Sequence, residues 1–159
     1  MSEKFSTQNI KRRDVLAMAG TGVVAVSSIG LFANEAVADA AAVAKEIKGK
    51  IGDKKTMSGG ITLELPQIAE NGNTVPIAVE VKSPMTGDNY VKAVHVYAEG
   101  NPAPNVASFR FSPESGKARV STRMRMIKSQ NIVAVAEMSN GKVHMVKNPV
   151  KVTIGGCGG

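Results

Sequence analysis

From residue 61 onward the chain alternates apolar and polar side chains in short runs, and this rhythm restricts the fold more than any other feature. Successive side chains of an extended strand point to opposite faces, so a period of two is what a half-buried strand requires. Runs at 61–65, 75–81, 90–98, 106–111, 119–127, 132–138 and 143–154 carry it. Between them stand Asn71-Gly72-Asn73, Ser83-Pro84-Met85-Thr86-Gly87-Asp88, Glu99-Gly100-Asn101-Pro102-Ala103-Pro104, Ser112-Pro113-Glu114-Ser115-Gly116 and Ser139-Asn140-Gly141. Each is rich in residues that tight turns need, and Ser139-Asn140-Gly141 is a hairpin signal. About seven short strands in roughly a hundred residues predict an all-β domain over 57–154, an immunoglobulin-like antiparallel β-sandwich. Pro76 and Pro149 are expected at edges or bulges, because neither can donate to a ladder. With 4% aromatic residues and no Trp, Val, Ile, Ala and Met must fill the core.

The first 38 residues read differently. Lys11-Arg12-Arg13-Asp14-Val15-Leu16 precedes a weakly apolar, Gly/Ala-rich run, and Ala36-Val37-Ala38 follows as a small-x-small cleavage site. Paired arginines before a modestly hydrophobic run mark a twin-arginine export signal. The run is weak for a membrane span, which needs about 20 predominantly apolar residues. Residues 1–38 are therefore expected to be cleaved, leaving a periplasmic protein with no membrane segment. Residues 39–56 form a short helix and linker. Asp39 to Lys48 are helix formers that Gly49 and Gly52 should stop, with Ala41, Val43 and Ile47 free to pack on a partner or on the sandwich.

The chain ends in Gly155-Gly156-Cys157-Gly158-Gly159. Cys157 is the sole cysteine, so no intrachain disulfide framework exists. Glycine adopts both signs of φ and adds no side chain, so residues 155–159 are expected to form a flexible, narrow arm with one reactive atom. This pentapeptide, closing an exported β-rich domain, resembles the carrier arm of the SoxY family, the sulfur-carrier subunits of the bacterial sulfur-oxidation (Sox) system. The resemblance implies that Cys157 holds sulfur intermediates of thiosulfate or sulfide oxidation as covalent adducts. It further implies a heterodimer with SoxZ, a small β-sandwich companion. Its enzymatic partners would be a c-type cytochrome that conjugates thiosulfate oxidatively to the thiol, a thiohydrolase that releases sulfate and, where present, a sulfane dehydrogenase. SoxZ travelling as passenger would explain folded export.

The remaining candidates are weaker. Arg119, Ser121, Arg123 and Arg125 share one face of their strand, with Lys117 and Lys128 extending it. The face can attract anions or an acidic partner, and it can equally be a solvated surface. His95 and His144 each sit within a strand-like run and read as structural. Two histidines and one cysteine are too few for an evident haem or iron–sulfur site, so no cofactor and no metal are expected. The net charge of +7 favours anionic partners, but no nucleic-acid-binding motif accompanies it.

Thiol activation needs a nearby cation or a helix N-terminus, and four glycines provide neither. The expected protein is thus a carrier acted on by enzymes, not an enzyme. Two alternatives stay open on the residues alone. One is a ubiquitin-like sulfur carrier using the Gly158-Gly159 carboxylate. The other is an exported β-sandwich interaction module dimerised through a Cys157–Cys157 disulfide.

Overall fold

The computed structural model describes residues 40–153. The expected signal (1–38) and arm (155–159) lie outside the described residues. Nine strands form two sheets among the described residues. They are β1 (Thr56–Met57), β2 (Ile61–Glu64), β3 (Ile68–Ala69), β4 (Val75–Val81), β5 (Val91–Ala98), β6 (Asn105–Arg110), β7 (Ala118–Met124), β8 (Gln130–Met138) and β9 (Val143–Val152). The larger sheet runs β1-β9-β8-β5-β6, with β3 also pairing with β9; the smaller runs β2-β4-β7. All long pairings are antiparallel, and residues 139–142 close the β8–β9 hairpin with Gly141 at φ 82°.

The sandwich expectation holds, with two additions. β1 and β3 are two-residue strands that pair parallel to opposite ends of β9. Segments this short have no periodicity to read. Between their pairings, residues 145–150 of β9 have no strand on that side, which is where Pro149 sits. Pro76 lies in β4, the middle strand of the smaller sheet, beyond the Glu64–Ala78 pair where β2 ends. Both prolines thus occupy local edges, where a missing N–H costs no ladder bond.

The interior between the sheets is built from side chains of β-branched and small residues. Ile61, Val75, Val79, Val81, Val91, Val94, Val96, Ile132, Ala134 and Val150 are buried there, together with Met124 and Met126. Burying each aliphatic side chain contributes about 1.5–3 kcal/mol, so this cluster dominates the stability.

Helix α1 spans Ala40–Ile51. It runs through Gly49 and ends at Gly52, whose φ of 67° suits only glycine without strain. The expectation that Gly49 would help stop it is therefore corrected: an internal glycine costs only about 1 kcal/mol, less than docking returns. Val43 and Ile51 are buried, with Ile47 beside them, against Tyr97, Val133, Val135 and Val143 on the outer face of the larger sheet. Ala41 is exposed. A 12-residue helix is marginal alone, so this second apolar cluster is what holds it.

Candidate functional site

Cys157, Gly155, Gly156, Gly158 and Gly159 lie outside the described residues, but the chain leading to them is held firmly. β9 is the longest strand and reaches Val152. The amide of Lys151 donates to the Gln67 carbonyl at 3.0 Å, and that of Thr153 donates to Ala69 at 3.1 Å. On the other side Val152 N–H donates to Ser129 Oγ at 2.9 Å. Backbone bonds on one side and a bond to a serine hydroxyl on the other thus fix the polypeptide to within two residues of Gly155. Gly72 adds a packing constraint at this end of the domain. A Cβ there would collide with the Met126 carbonyl and come within 3.1 Å of Val152 Cγ1, while Met126 N–H donates to Gly72 at 2.7 Å.

Arg119, Ser121 and Arg123 are exposed as expected and Met124 and Met126 are buried, but Val120 is only half-buried and Thr122 is exposed, so strict alternation fails in the middle of the strand. β7 ends at Met124, so Arg125 belongs to the turn that follows. That turn is pinned by Asn101, whose Nδ2 donates to the Arg125 carbonyl at 2.8 Å and whose Oδ1 accepts from Ile127 N–H at 3.2 Å. Gln130 completes the pin, donating to Asn101 Oδ1 at 2.9 Å and accepting from Gly100 N–H at 2.6 Å.

Arg119 is committed within the protein. Its Nη1 donates to Glu80 at 2.6 Å, and Nη1 and Nη2 together fork onto the Glu64 carboxylate at 3.0 and 3.1 Å. The bond to the Arg119 guanidinium and its charge hold the Glu64 carboxyl below the usual carboxylate range, and the two carboxylates raise Arg119. Arg119 therefore ties β2, β4 and β7 together, and its charge is already balanced. Arg123 and Arg125 make no ion pair among the described residues. Of the three arginines, these two carry uncompensated charge.

Both histidines are hydrogen-bonded. His95 is 7% exposed and contacts Ser108 Oγ through Nδ1 at 2.8 Å and Glu137 Oε1 through Nε2 at 3.0 Å. His144 Nδ1 contacts the Gly59 carbonyl at 2.7 Å; a carbonyl only accepts, so this nitrogen carries the hydrogen. Gly60 lies against that ring, where a Cβ would stand 2.9 Å away. Among the described residues no group of three or more His, Cys, Asp or Glu could hold a metal ion. No helix there is long and apolar enough to cross a membrane.

Sequence reasoning missed Asn101, Gln130 and Ser108. Asn101 stood in a visible turn, but its partners lie more than twenty residues away. Ser108 carried no signal beyond an alternating strand.

The family model of the sulfur oxidation protein SoxY matches residues 47–157, ending on Cys157 itself. The solved structure of the sulfur carrier protein SoxY from Chlorobium limicola f thiosulfatophilum is 35% identical, with a TM-score of 0.62. The match covers 73% of this chain and 100% of that one. The superoxide reductase (neelaredoxin) from Ignicoccus hospitalis is 17% identical with a TM-score of 0.53, over 75% of this chain and 97% of that one. A putative superoxide reductase from Thermotoga maritima is 18% identical with a TM-score of 0.52, over 62% and 88%. These two share the fold alone. No curated protein matches the chain. The match through most of the chain, the identity to a solved carrier and the shared two-sheet architecture agree: this chain belongs to the SoxY family and is a sulfur carrier of sulfur oxidation.

Proposed function

We propose that the sulfur is carried on Cys157, at the end of a glycine arm that β9 presents to partner enzymes. The observation that supports this most strongly is the family match ending on the sole cysteine of the chain. The domain acts as the holder. Its core is apolar and its last strand is held on both sides near its end. The chemistry at the sulfur belongs to the partners, and this chain is the substrate they share.

In the simplest cycle the Cys157 thiol and thiosulfate join through a new S–S bond. The thiol proton is released and two electrons pass to a c-type cytochrome. A thiohydrolase then adds water across the sulfane–sulfonate bond, leaving a persulfide on Cys157 and releasing sulfate and a proton. A sulfane dehydrogenase can oxidise the remaining sulfur on the same arm. SoxZ is the proposed heterodimer partner. Twin-arginine export through Arg12 and Arg13 is the proposed route to the periplasm, with SoxZ as passenger. The sandwich does not favour the ubiquitin-like alternative, in which Gly159 would carry the sulfur.

Two variants separate the thiol from the arm. Cys157→Ser should abolish thiosulfate turnover in a reconstituted system while leaving the fold and partner binding intact. Gly156→Val with Gly158→Val keeps the thiol but adds β-branched bulk on both sides. Small thiol reagents should still label this variant, while enzymes that engulf the tip should lose activity on it. Wild-type turnover by Cys157→Ser would contradict the attachment site. Wild-type turnover by the double Val variant would contradict a narrow-channel delivery.

A further inference from the structure

Helix α1 covers only part of the outer face of the larger sheet, and beyond its last turn the surface is basic. An open cavity of about 360 Å³ there is lined by Lys50, Lys92, Ala93, His95, Arg110 and Glu137. Four elements contribute: α1 gives Lys50, β5 gives Lys92, Ala93 and His95, β6 gives Arg110 and β8 gives Glu137.

Lys92 faces this cavity because β5 is bulged. Val91 pairs with Met138 and Ala93 pairs with Glu137, so two steps on β5 match one step on β8 and Lys92 is the extra residue. Strict alternation from Ala93 and His95, both on the outer face, would send Lys92 into the core and Val91 outward. Instead Val91 is fully buried in the inner cluster, and Lys92 lines the cavity. Re-aiming one side chain is what a bulge does.

The charge that collects here is uncompensated. Lys50, Lys92 and Arg110 make no ion pair among the described residues. Glu137 is the only carboxylate of the lining, and its Oε1 is engaged by His95 Nε2. A carboxylate accepts, so Nε2 carries the hydrogen and Nδ1 can accept from Ser108 Oγ–H. Three cations against one carboxylate leave two positive charges in a concavity walled by a helix end.

We propose that this cavity binds a compact divalent oxyanion of the size and charge of sulfate or thiosulfate. Arg110 supplies a planar fork suited to paired oxygens, and the two lysines supply point charges around it. The three cations converge on one concave place from three elements, as a small anion requires, and do not form the extended stripe that an acidic segment would track. The site rests on described residues alone and is independent of the Cys157 reading.

The test is an amide-resolved NMR titration of the full chain with sodium sulfate, sodium thiosulfate and sodium succinate, each against sodium chloride at matched ionic strength. Sulfate and thiosulfate should give saturable shifts confined to residues 50, 92–95, 108–110 and 137. Lys92→Gln with Arg110→Gln should weaken that binding by about tenfold or more, since charge-assisted bonds are among the strongest single contacts. Lys50→Gln, on an exposed helix end, should weaken it by a smaller factor. Cys157→Ser should bind as the wild type does. Saturation by succinate alone would overturn the proposal in favour of a carboxylate-bearing partner. Unsaturable shifts with every salt, or wild-type affinity in the double variant, would overturn it outright.

Discussion

The two faces of the larger sheet are covered in opposite ways. The inner face meets the β2-β4-β7 sheet through one large apolar cluster. The outer face meets a single helix. Under α1 it is equally dry, with Tyr97, Val133, Val135 and Val143 buried. Past Ile51 it changes within a few residues to His95, Ser108, Glu137 and a rim of cations. A sheet opposite a sheet leaves no place for polar chemistry, whereas a short helix decides by its length where such chemistry begins. The carrier thus keeps one face for stability and part of the other for recognition.

The largest test of this contrast is a truncation on each side. Ile132→Ala, in the fully buried inner cluster, should cost about 3 kcal/mol in denaturant unfolding, from lost transfer energy and the cavity left behind. Val43→Ala under α1 should cost about 1–2 kcal/mol. Its effect should be local, with hydrogen exchange accelerating in residues 40–51 while the strands stay protected. Equal losses, or global acceleration from Val43→Ala, would mean that helix and sandwich unfold as one unit and that the two faces are not distinct.

Tyr97 sharpens the comparison through pH. Its hydroxyl is buried under α1 without a hydrogen-bond partner among the described residues. Burial, then the charges of Glu46 and Glu137, push its pKa up from 10.0 to about 12. Because the folded value is raised, the protein keeps this contribution below pH 10 and loses it as pH rises through the folded value. The wild type should lose on the order of 2 kcal/mol between those limits, and Tyr97→Phe should lack that loss. At neutral pH Tyr97→Phe should be as stable as the wild type or slightly more so, since it removes an unsatisfied buried group. A loss of stability at neutral pH would show that the hydroxyl is paired.

The smallest effect belongs to Arg119. Arg119→Gln should leave thermal stability near that of the wild type, because exposed ion pairs contribute little. What it should change is the titration of Glu64, whose midpoint should rise toward the ordinary carboxylate range. Glu64's folded value is depressed, so its contribution exists above the unfolded value of 4.5 and fades as pH falls through the folded one. The variant should lose this acid-side dependence. Glu64 titrating as before would remove the fork as the cause.

How much of this was legible beforehand follows from the range of each interaction. The strands at 61–65, 75–81, 90–98 and 143–154 showed because alternation is local, and the structure moves their ends by at most a few residues. β1 and β3 did not show, because a two-residue parallel strand exists only through its partner. The bulge at Lys92 was invisible for the same reason: one side of the strand alone cannot reveal a miscount against the other. The charge of Arg119 was readable, but its neutralisers lie 39 and 55 residues away in sequence. The Gly-Cys-Gly arm proposed for residues 155–159 is read from the sequence alone, because those residues lie outside the described ones.

The central claim is that the sulfur travels on Cys157. The most direct measurement is peptide-resolved intact mass spectrometry of the protein recovered from cells oxidising thiosulfate, read before and after treatment with a thiol reductant. The account predicts a sulfur-bearing mass increase confined to the C-terminal peptide, located on Cys157 and removed by the reductant. An unmodified cysteine beside an adduct that survives reduction on the Gly159 carboxylate would contradict it.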